Sequence, residues 1–217
     1  MPYASILKGT RLGNHNKICQ GAVLGAVPQD FNFSGDDSLV MIGDYNTIRE
    51  HVVVNRATYK GEATRIGSHN FLMEGAHISH DVQLGDHCVI GYGAKIAGDS
   101  IINDHVISSG GVLVHPGCRL GSWSLIQSGS LIYKDVPPYV IVGKNPAAYY
   151  NVNAVVLAHK NFPEATIRRI ARAYRLIYCN NNTIEDALRK IEQQIPMSDE
   201  IRYMVDFIRE SEKGIIR

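Results

Sequence analysis

Aliphatic residues recur at every sixth position through the first 132 residues of the chain. Of the 22 positions from 6 to 132 that are multiples of six, 18 are Ile, Leu or Val, although these residues make up only about a quarter of the chain. The exceptions are Asp30, Asp36, Lys60 and Ser108. The first three lie in two stretches typical of loops, 28–38 and 56–64. A period of six fits neither an α-helix nor an amphipathic strand, whose periods are about 3.6 and 2.

A second column of small or β-branched residues follows each aliphatic by four positions, as at Ala76, Ala94 and Ser100. Glycine often follows the aliphatic directly and supplies turn conformations. The pattern predicts short strands joined by turns, with three hexapeptides forming one triangular coil. Coils stacked about 4.8 Å apart would build a solenoid around aliphatic ladders. A β-sandwich or α/β domain with accidental periodicity is disfavoured, because two loops interrupt the register without shifting it.

The hexapeptide pattern ends near 135–139, and a helical pattern follows. Apolar residues at three- and four-residue spacing predict a helix over 164–179, preceded by Pro163. Thr183 and Asp186 resemble a capping box that opens a helix to about residue 194. A last helix is expected to start at about Ser198. We therefore predict two domains, a β-solenoid over 1–145 and a helical domain over 146–217.

Composition narrows the function classes. The 217 residues include 22 Lys and Arg against 21 Asp and Glu, so no strongly basic field is available for nucleic acid. No apolar run approaches the roughly 20 residues of a membrane span, and the N-terminus lacks the apolar stretch of a signal peptide. The four cysteines lie far apart with no C-x-x-C pair, which favours a reducing cytoplasm. The low aromatic content, 8%, suits a narrow prism interior.

Basic residues are concentrated early in the predicted helical domain. Between 158 and 175 five Lys and Arg residues face a single acid, Glu164. Arg168, Arg172 and Arg175 share one face of the helix predicted there. This face is either a solvated surface or a docking patch for an acidic partner such as a carrier protein or a phosphate group.

Histidines are densest at His77-Ile78-Ser79-His80-Asp81, one group among nine histidines in the chain. Ile78 is expected to point inward, with His77 and His80 on turns or outer faces. A histidine beside a carboxylate is a candidate general base for a hydroxyl. Two surface histidines are the plain alternative. A zinc site formed by His77 and His80 with His105 or His115 is a third, without further support in the sequence.

Several longer stretches together indicate a family. They are V-P-Q-D at 27–30, I-G-D-Y-N-T-I-R-E at 42–50, N-F-L-M at 70–73, A-H-I-S-H-D at 76–81, D-V-P-P-Y-V at 135–140, A-Y-R-L-I-Y at 173–178 and G-I-I-R at 214–217. With these stretches the chain resembles the acyl-[acyl-carrier-protein]:UDP-N-acetylglucosamine O-acyltransferases of lipid A biosynthesis. The resemblance covers nearly the whole chain.

The resemblance implies a left-handed parallel β-helix with a small C-terminal α-helical domain, assembled as a homotrimer with active sites at subunit interfaces. It implies transfer of a (hydroxy)acyl chain from acyl carrier protein to a hydroxyl of a UDP-amino sugar, with no cofactor and no metal. His80 matches the catalytic base and Asp81 follows it. The backbone N–H of Gly98 matches the donor to the thioester oxyanion, a role that needs only a preorganised amide.

The resemblance also implies further site positions. Those matched to substrate binding are Asp30, Asn32, Asn55, His77, Asp99, His115, Asn153, His159 and Lys160. Gln127 and Ser128 match positions associated with the acyl chain, and Arg168, Arg172 and Arg175 are the candidate docking residues for the carrier.

Several of these positions depart from the family pattern. The family usually has lysine at Asn32, and histidine at Asn55 and at Asp99. It has glutamine at position 116, which is proline here, an acidic residue at 155, a basic residue at 159 and glycine at 128. The chain also begins about two coils later. An aspartate beside a diphosphate would be repulsive, so we expect a divergent member with a shifted acceptor, a different acyl chain or weak activity.

Two other function classes stay open on the sequence alone. One is a hexapeptide-repeat sugar acetyltransferase that uses acetyl-CoA, which the carrier-type helical domain disfavours. The other is a catalytically weak or inactive trimeric scaffold, which the altered binding positions would suit.

Overall fold

Three parallel sheets run side by side along most of the chain and form the sides of a prism. The structure is a computed structural model that describes residues 1–179 and 182–217. The first sheet contains β1 (Ser5–Ile6), β4 (Val23–Ala26), β7 (Val53–Asn55), β10 (His77–Ile78), β13 (Lys95–Ile96), β16 (Leu113–Val114) and β19 (Leu131–Ile132). The second contains β2 (Thr10–Leu12), β5 (Leu39–Ile42), β8 (Ala63–Ile66), β11 (Gln83–Leu84), β14 (Ile101–Ile102) and β17 (Arg119–Leu120). The third contains β3 (Lys17–Ile18), β6 (Thr47–Ile48), β9 (Phe71–Leu72), β12 (Val89–Ile90), β15 (Ile107–Ser108), β18 (Leu125–Ile126), β20 (Val140–Gly143) and β21 (Ala148–Val152).

The strand register confirms the triangular coil. His77 pairs with Lys95, and Lys95 with Leu113, so strands 18 residues apart in sequence are neighbours in the sheet. Two coils are longer, because the loops after β4 and β7 insert residues without disturbing the strands. The consequence is that His77 pairs with Val53 on its other side.

The core is the predicted aliphatic ladder. From Leu24 to Ile132 every Ile, Leu or Val at a multiple of six is at most 4% exposed, and the small residues Ala76 and Ala94 are fully buried. Burying each such aliphatic side chain stabilises the fold by about 1.5–3 kcal/mol. Ile6 differs, with 53% of its surface exposed, because β1 lies at the edge of its sheet.

Stacked aromatic rings line the corner between the second and third sheets. We call His15, Tyr45, His69, His87, His105 and Trp123 the aromatic column. Its ring centroids are 4.7–5.0 Å apart from His15 to His105, and 3.8 Å apart between His105 and Trp123. All six residues have left-handed backbone conformations, so each coil places its ring over the next at the spacing of the strands.

The C-terminal part adds two strands that the sequence pattern did not predict. β20 continues the third sheet in parallel with β18, and β21 folds back antiparallel to β20. The helices follow as α1 (Ala154–His159), α2 (Glu164–Tyr178), α3 (Ile184–Gln194) and α4 (Asp199–Arg209). The three predicted helices are thus confirmed, and the Thr183 hydroxyl accepts the Asp186 N–H at 3.1 Å as a helix cap. The domain boundary predicted after residue 145 falls between β20 and β21 and stays a prediction.

Two tyrosines anchor the helices to the end of the prism. The Tyr174 hydroxyl donates to Pro138 O at 2.6 Å, and it is buried. The Tyr203 hydroxyl accepts from Asn103 Nδ2 at 2.7 Å and from Ser122 N at 3.0 Å. None of the helices in the described ranges is long and apolar enough to cross a bilayer.

Candidate active site

His80 lies in a turn between the first and second sheets. We call the edge of the prism where these two sheets meet the His80 corner. The next residue, Asp81, has a left-handed backbone with a φ of 60°, a conformation that aspartate tolerates better than most residues. The Asp81 N–H donates to Thr64 Oγ1 at 2.8 Å, which ties this turn to the preceding coil. Thr64 thus fixes the backbone that carries the candidate base.

The His80 ring is oriented by its neighbour. Nδ1 of His80 lies 3.0 Å from Oδ2 of Asp81, and both side chains are 15% exposed. The same oxygen accepts the N–H of Thr58 at 3.0 Å. Because a carboxylate accepts hydrogen bonds, this contact favours the neutral tautomer with the proton on Nδ1 and the lone pair on Nε2. This is the tautomer that a general base with an outward Nε2 requires.

Asp30 approaches the other nitrogen of His80 from a loop. Its Oδ2 atom is 3.9 Å from Nε2, too far for a hydrogen bond. The Thr58 hydroxyl donates to Oδ2 at 3.2 Å, and Asn32 donates to Oδ1 from its backbone N–H at 3.0 Å and from Nδ2 at 3.2 Å. These donors, Asn32 N–H first, lower the pKa of Asp30. Asp30 is therefore an ionised carboxylate held beside His80.

Gly98 lies against the ring of His80, in the equivalent turn of the next coil. A Cβ atom at this position would stand 2.6 Å from Nε2 of His80. The backbone ladder uses the N–H groups of Ala97 and Asp99, which bond to Val114 O and His80 O, and leaves the N–H of Gly98 outside it. Partial desolvation, and then the charge of Asp81, raise the pKa of the exposed Asp99.

His77 and Asn55 form a second polar pair near His80. Nε2 of His77 is 2.5 Å from Asn55 Oδ1, and Asn55 Nδ2 donates to Val27 O at 2.7 Å. Asn55 is only 1% exposed. Burial, with Lys95 next, lowers the pKa of His77. Both polar ends of Asn55 are used within the chain, so its amide supports His77.

The chain does not bring the other predicted residues to His80. His115 is exposed two coils further along the same corner, with its ring 5.2 Å from that of Tyr133. Gln127 and Ser128 are exposed at the corner between the third and first sheets. Their predicted roles stay predictions.

The predicted nucleotide residues lie at the start of the helical part. Asn153 is 2% exposed, and its Nδ2 donates to Trp123 O at 2.9 Å. His159 and Lys160 are exposed at the end of α1. The pKa of His105 is lowered mainly by burial and then by the charge of His87, and the charge of nearby Lys160 lowers it further. These residues therefore lie beside the aromatic column, on another corner of the prism from His80.

The predicted basic face is present on α2. Arg168, Arg172 and Arg175 are all exposed on one side of this helix. Nη1 of Arg168 is 2.5 Å from Glu164 Oε1 in an i,i+4 ion pair.

Sequence reasoning missed Thr58 and Thr64, which both form hydrogen bonds with Asp81 beside His80. Thr58 lies in the loop after β7 that interrupts the hexapeptide register, and Thr64 lies in β8, the strand that follows this loop. The zinc alternative gains no support, because no group of three or more His, Cys, Asp or Glu side chains in 1–179 and 182–217 could hold a metal ion.

Comparison with known proteins decides the family. Residues 135–216 match the family described as UDP N-acetylglucosamine O-acyltransferase, domain 2, and residues 63–98 match the bacterial transferase hexapeptide repeats. An acyl-[acyl-carrier-protein]–UDP-N-acetylglucosamine O-acyltransferase of Halorhodospira halophila is 42% identical over 209 residues, which are 96% of this chain and 81% of that relative. The chain belongs to the UDP-N-acetylglucosamine O-acyltransferase family.

Solved structures of UDP-N-acetylglucosamine O-acyltransferases share the fold. The enzyme from Bacteroides fragilis superposes with a TM-score of 0.98 at 48% identity, covering 100% of this chain and 85% of that one. The enzyme from Acinetobacter baumannii gives 0.85 at 32% identity, with 100% and 96% covered. The predicted left-handed parallel β-helix with C-terminal helices is confirmed.

Proposed function

We propose that the chain transfers a (hydroxy)acyl group from acyl carrier protein to a hydroxyl of UDP-N-acetylglucosamine or a related UDP-amino sugar, as the first step of lipid A synthesis. The names of its relatives support the donor and the acceptor. The observation that carries the chemistry is the His80–Asp81 pair, with Nδ1 bound to the carboxylate and Nε2 free to accept a proton.

The reaction is a direct acyl transfer with His80 as general base. Nε2 takes the proton of the sugar hydroxyl while the sugar oxygen attacks the thioester carbonyl. The tetrahedral oxyanion is stabilised by the N–H of Gly98, which the backbone ladder leaves available. Collapse breaks the C–S bond, and the imidazolium returns its proton to the departing thiolate. Asp81 stabilises the imidazolium between these steps.

The active unit is a homotrimer in this proposal. Two observations support it: the residues predicted for substrate lie on different corners of one prism, and Lys160 lies beside the aromatic column rather than beside His80. Residues on different corners of one chain can meet at a single ligand when prisms pack side by side. Light scattering of the purified protein should therefore give three times the chain mass, and a monomeric active enzyme would contradict this part.

Acyl carrier protein docks on the basic face of α2 in this proposal, through Arg168, Arg172 and Arg175. We place the reaction in the cytoplasm, which the unpaired thiols of Cys19, Cys88, Cys118 and Cys179 support.

The decisive experiment is a panel of acyl-carrier thioesters and acetyl-CoA against UDP-sugars, read by mass spectrometry. We expect an O-acylated UDP-sugar from carrier thioesters, and a loss of at least about a hundredfold in His80→Ala, the usual worth of a general base. His51→Ala, at an exposed histidine on another corner, is the control. Turnover retained in His80→Ala, or acetyl-CoA as the preferred donor, would refute the assignment.

A further inference from the structure

Thr58 contacts both carboxylates that flank His80. It lies in the loop after β7 and is 1% exposed. Its backbone N–H donates to Asp81 Oδ2 at 3.0 Å, and its hydroxyl donates to Asp30 Oδ2 at 3.2 Å. One buried residue thus connects the group that orients Nδ1 with the group that stands opposite Nε2.

The two hydrogen bonds of Thr58 come from different parts of the residue, one from the backbone and one from the side chain. The bond to Asp81 uses the backbone and persists whatever side chain stands at position 58. The bond to Asp30 uses the hydroxyl and is lost when that oxygen is replaced by a methyl group. A Thr58→Val variant therefore leaves the His80–Asp81 pair intact and releases only one oxygen of Asp30.

The Asp30 oxygen that accepts from this hydroxyl is also the one nearest to Nε2 of His80. The 3.9 Å between Oδ2 and Nε2 is wider than a charge-assisted hydrogen bond, which measures about 2.7–2.9 Å. Neutral His80 offers Asp30 nothing to bond, because Nε2 then carries a lone pair. Protonated His80 attracts the carboxylate, and closure of the gap would hold the base in its charged form.

We propose that Thr58 is a positioning residue that keeps Asp30 apart from Nε2 of His80, so that the base stays available to the acceptor hydroxyl. Asn32 restrains only the other oxygen of Asp30, and Thr58 is the restraint on the oxygen nearest the base. The role in turnover rests on the proposed acyl transfer, whereas the role in holding Asp30 does not.

The kinetic test compares Thr58→Val, which lacks the hydroxyl, with Thr58→Ser, which keeps it. Losing a hydrogen bond to a charged acceptor should lower kcat/KM for the UDP-sugar about tenfold or more. The acid limb of the pH profile of kcat/KM should move to higher pH in Thr58→Val and return in Thr58→Ser. Thr166→Val, at a buried threonine of α2, controls for losing a buried hydroxyl.

A second measurement needs no turnover. In a crystal structure of Thr58→Val grown below pH 6, Oδ2 of Asp30 should lie within hydrogen-bonding distance of Nε2 of His80. An unchanged separation, or a pH profile that moves equally in Thr166→Val, would overturn the proposal. If wild-type protein shows no transfer but the Asp30 carboxylate closes on His80, the proposed function fails and the positioning by Thr58 stands.

Discussion

Gly98 leaves no space for a side chain between itself and the imidazole of His80. A Cβ atom there would stand 2.6 Å from Nε2, well inside van der Waals contact. Gly98→Ala should therefore displace the His80 ring and reduce acyl transfer by at least about tenfold, while the helical signature and thermal midpoint stay close to wild type. Steady-state assays and circular dichroism on the same preparation measure both.

Gly110→Ala is the matched control for this clash. The three atoms nearest to a Cβ at Gly110 would all belong to the ring of Tyr92, which is 64% exposed and can move aside. Equal losses of activity in the two variants would show that the prism, and not the contact with His80, is sensitive to added volume.

Asp81 has two separable roles, orientation and charge. Its Oδ2 atom accepts from both His80 Nδ1 and Thr58 N, and an asparagine can place its amide oxygen at the same point. Asp81→Asn should keep the ring in place and lose only the charge that stabilises the imidazolium, so kcat falls and KM for the sugar changes little. Asp81→Leu should lose more activity, because orientation is lost too. Equal kcat in the two variants would contradict the separate contribution of orientation.

Asp99 should make the fold less stable as pH rises. Partial desolvation, and then the charge of Asp81, raise its folded-state pKa above the ordinary 3.8, although the residue is exposed. An acid with a raised folded pKa contributes stability that is fully present below pH 3.8 and is lost as pH rises through the folded value. Asp99→Asn should therefore unfold at higher denaturant than wild type at pH 7, with the difference vanishing towards pH 3.8.

Asp186→Asn is the control of opposite sign. The Thr183 hydroxyl is the main cause of the lowered pKa of Asp186, so its stabilisation is present above pH 3.8 and lost as pH falls through the folded value. This variant should be less stable than wild type at pH 7. If Asp99→Asn is also less stable than wild type at pH 7, the charge of Asp99 does not destabilise the fold and the prediction is wrong.

Charge reversal on α2 should impair use of the carrier-bound donor. Arg172→Glu places an acid in the middle of the exposed basic face, and it should raise KM for acyl carrier protein several-fold, with less difference at high salt because exposed charges are screened. KM for the UDP-sugar should not change. Arg202→Glu, at an exposed arginine of α4, makes the same change of charge elsewhere, and an equal effect there would rule out a specific docking face.

The parts of the fold that the sequence predicts are those set by the repeat, and the parts it does not predict depend on contacts outside the repeat. The ladder from Leu24 to Ile132 is readable because each coil repeats the same environment, so position in the repeat sets burial. The pairing of β20 with β21 was missed because it depends on an antiparallel return that no repeat encodes.

The candidate site can be predicted from the sequence only in part, for the same reason. His80 and Asp81 are adjacent in sequence, whereas Thr58 reaches them across coils, through a loop whose path depends on the fold. Asn153 shows the converse: matched to the nucleotide through the family, it is buried and bonded to the backbone of Trp123.

The pairing of strands 18 residues apart also constrains how the length of this protein can change. Adding or removing a whole coil that lies outside the coils around His80 preserves the strand register and the aliphatic ladder. A change of one residue within a strand instead turns its inward side chains outward. The parts that hold Asp30, Thr58, His80 and Gly98 belong to a few successive coils. Gains and losses of coils elsewhere can therefore lengthen or shorten the prism while this site stays the same.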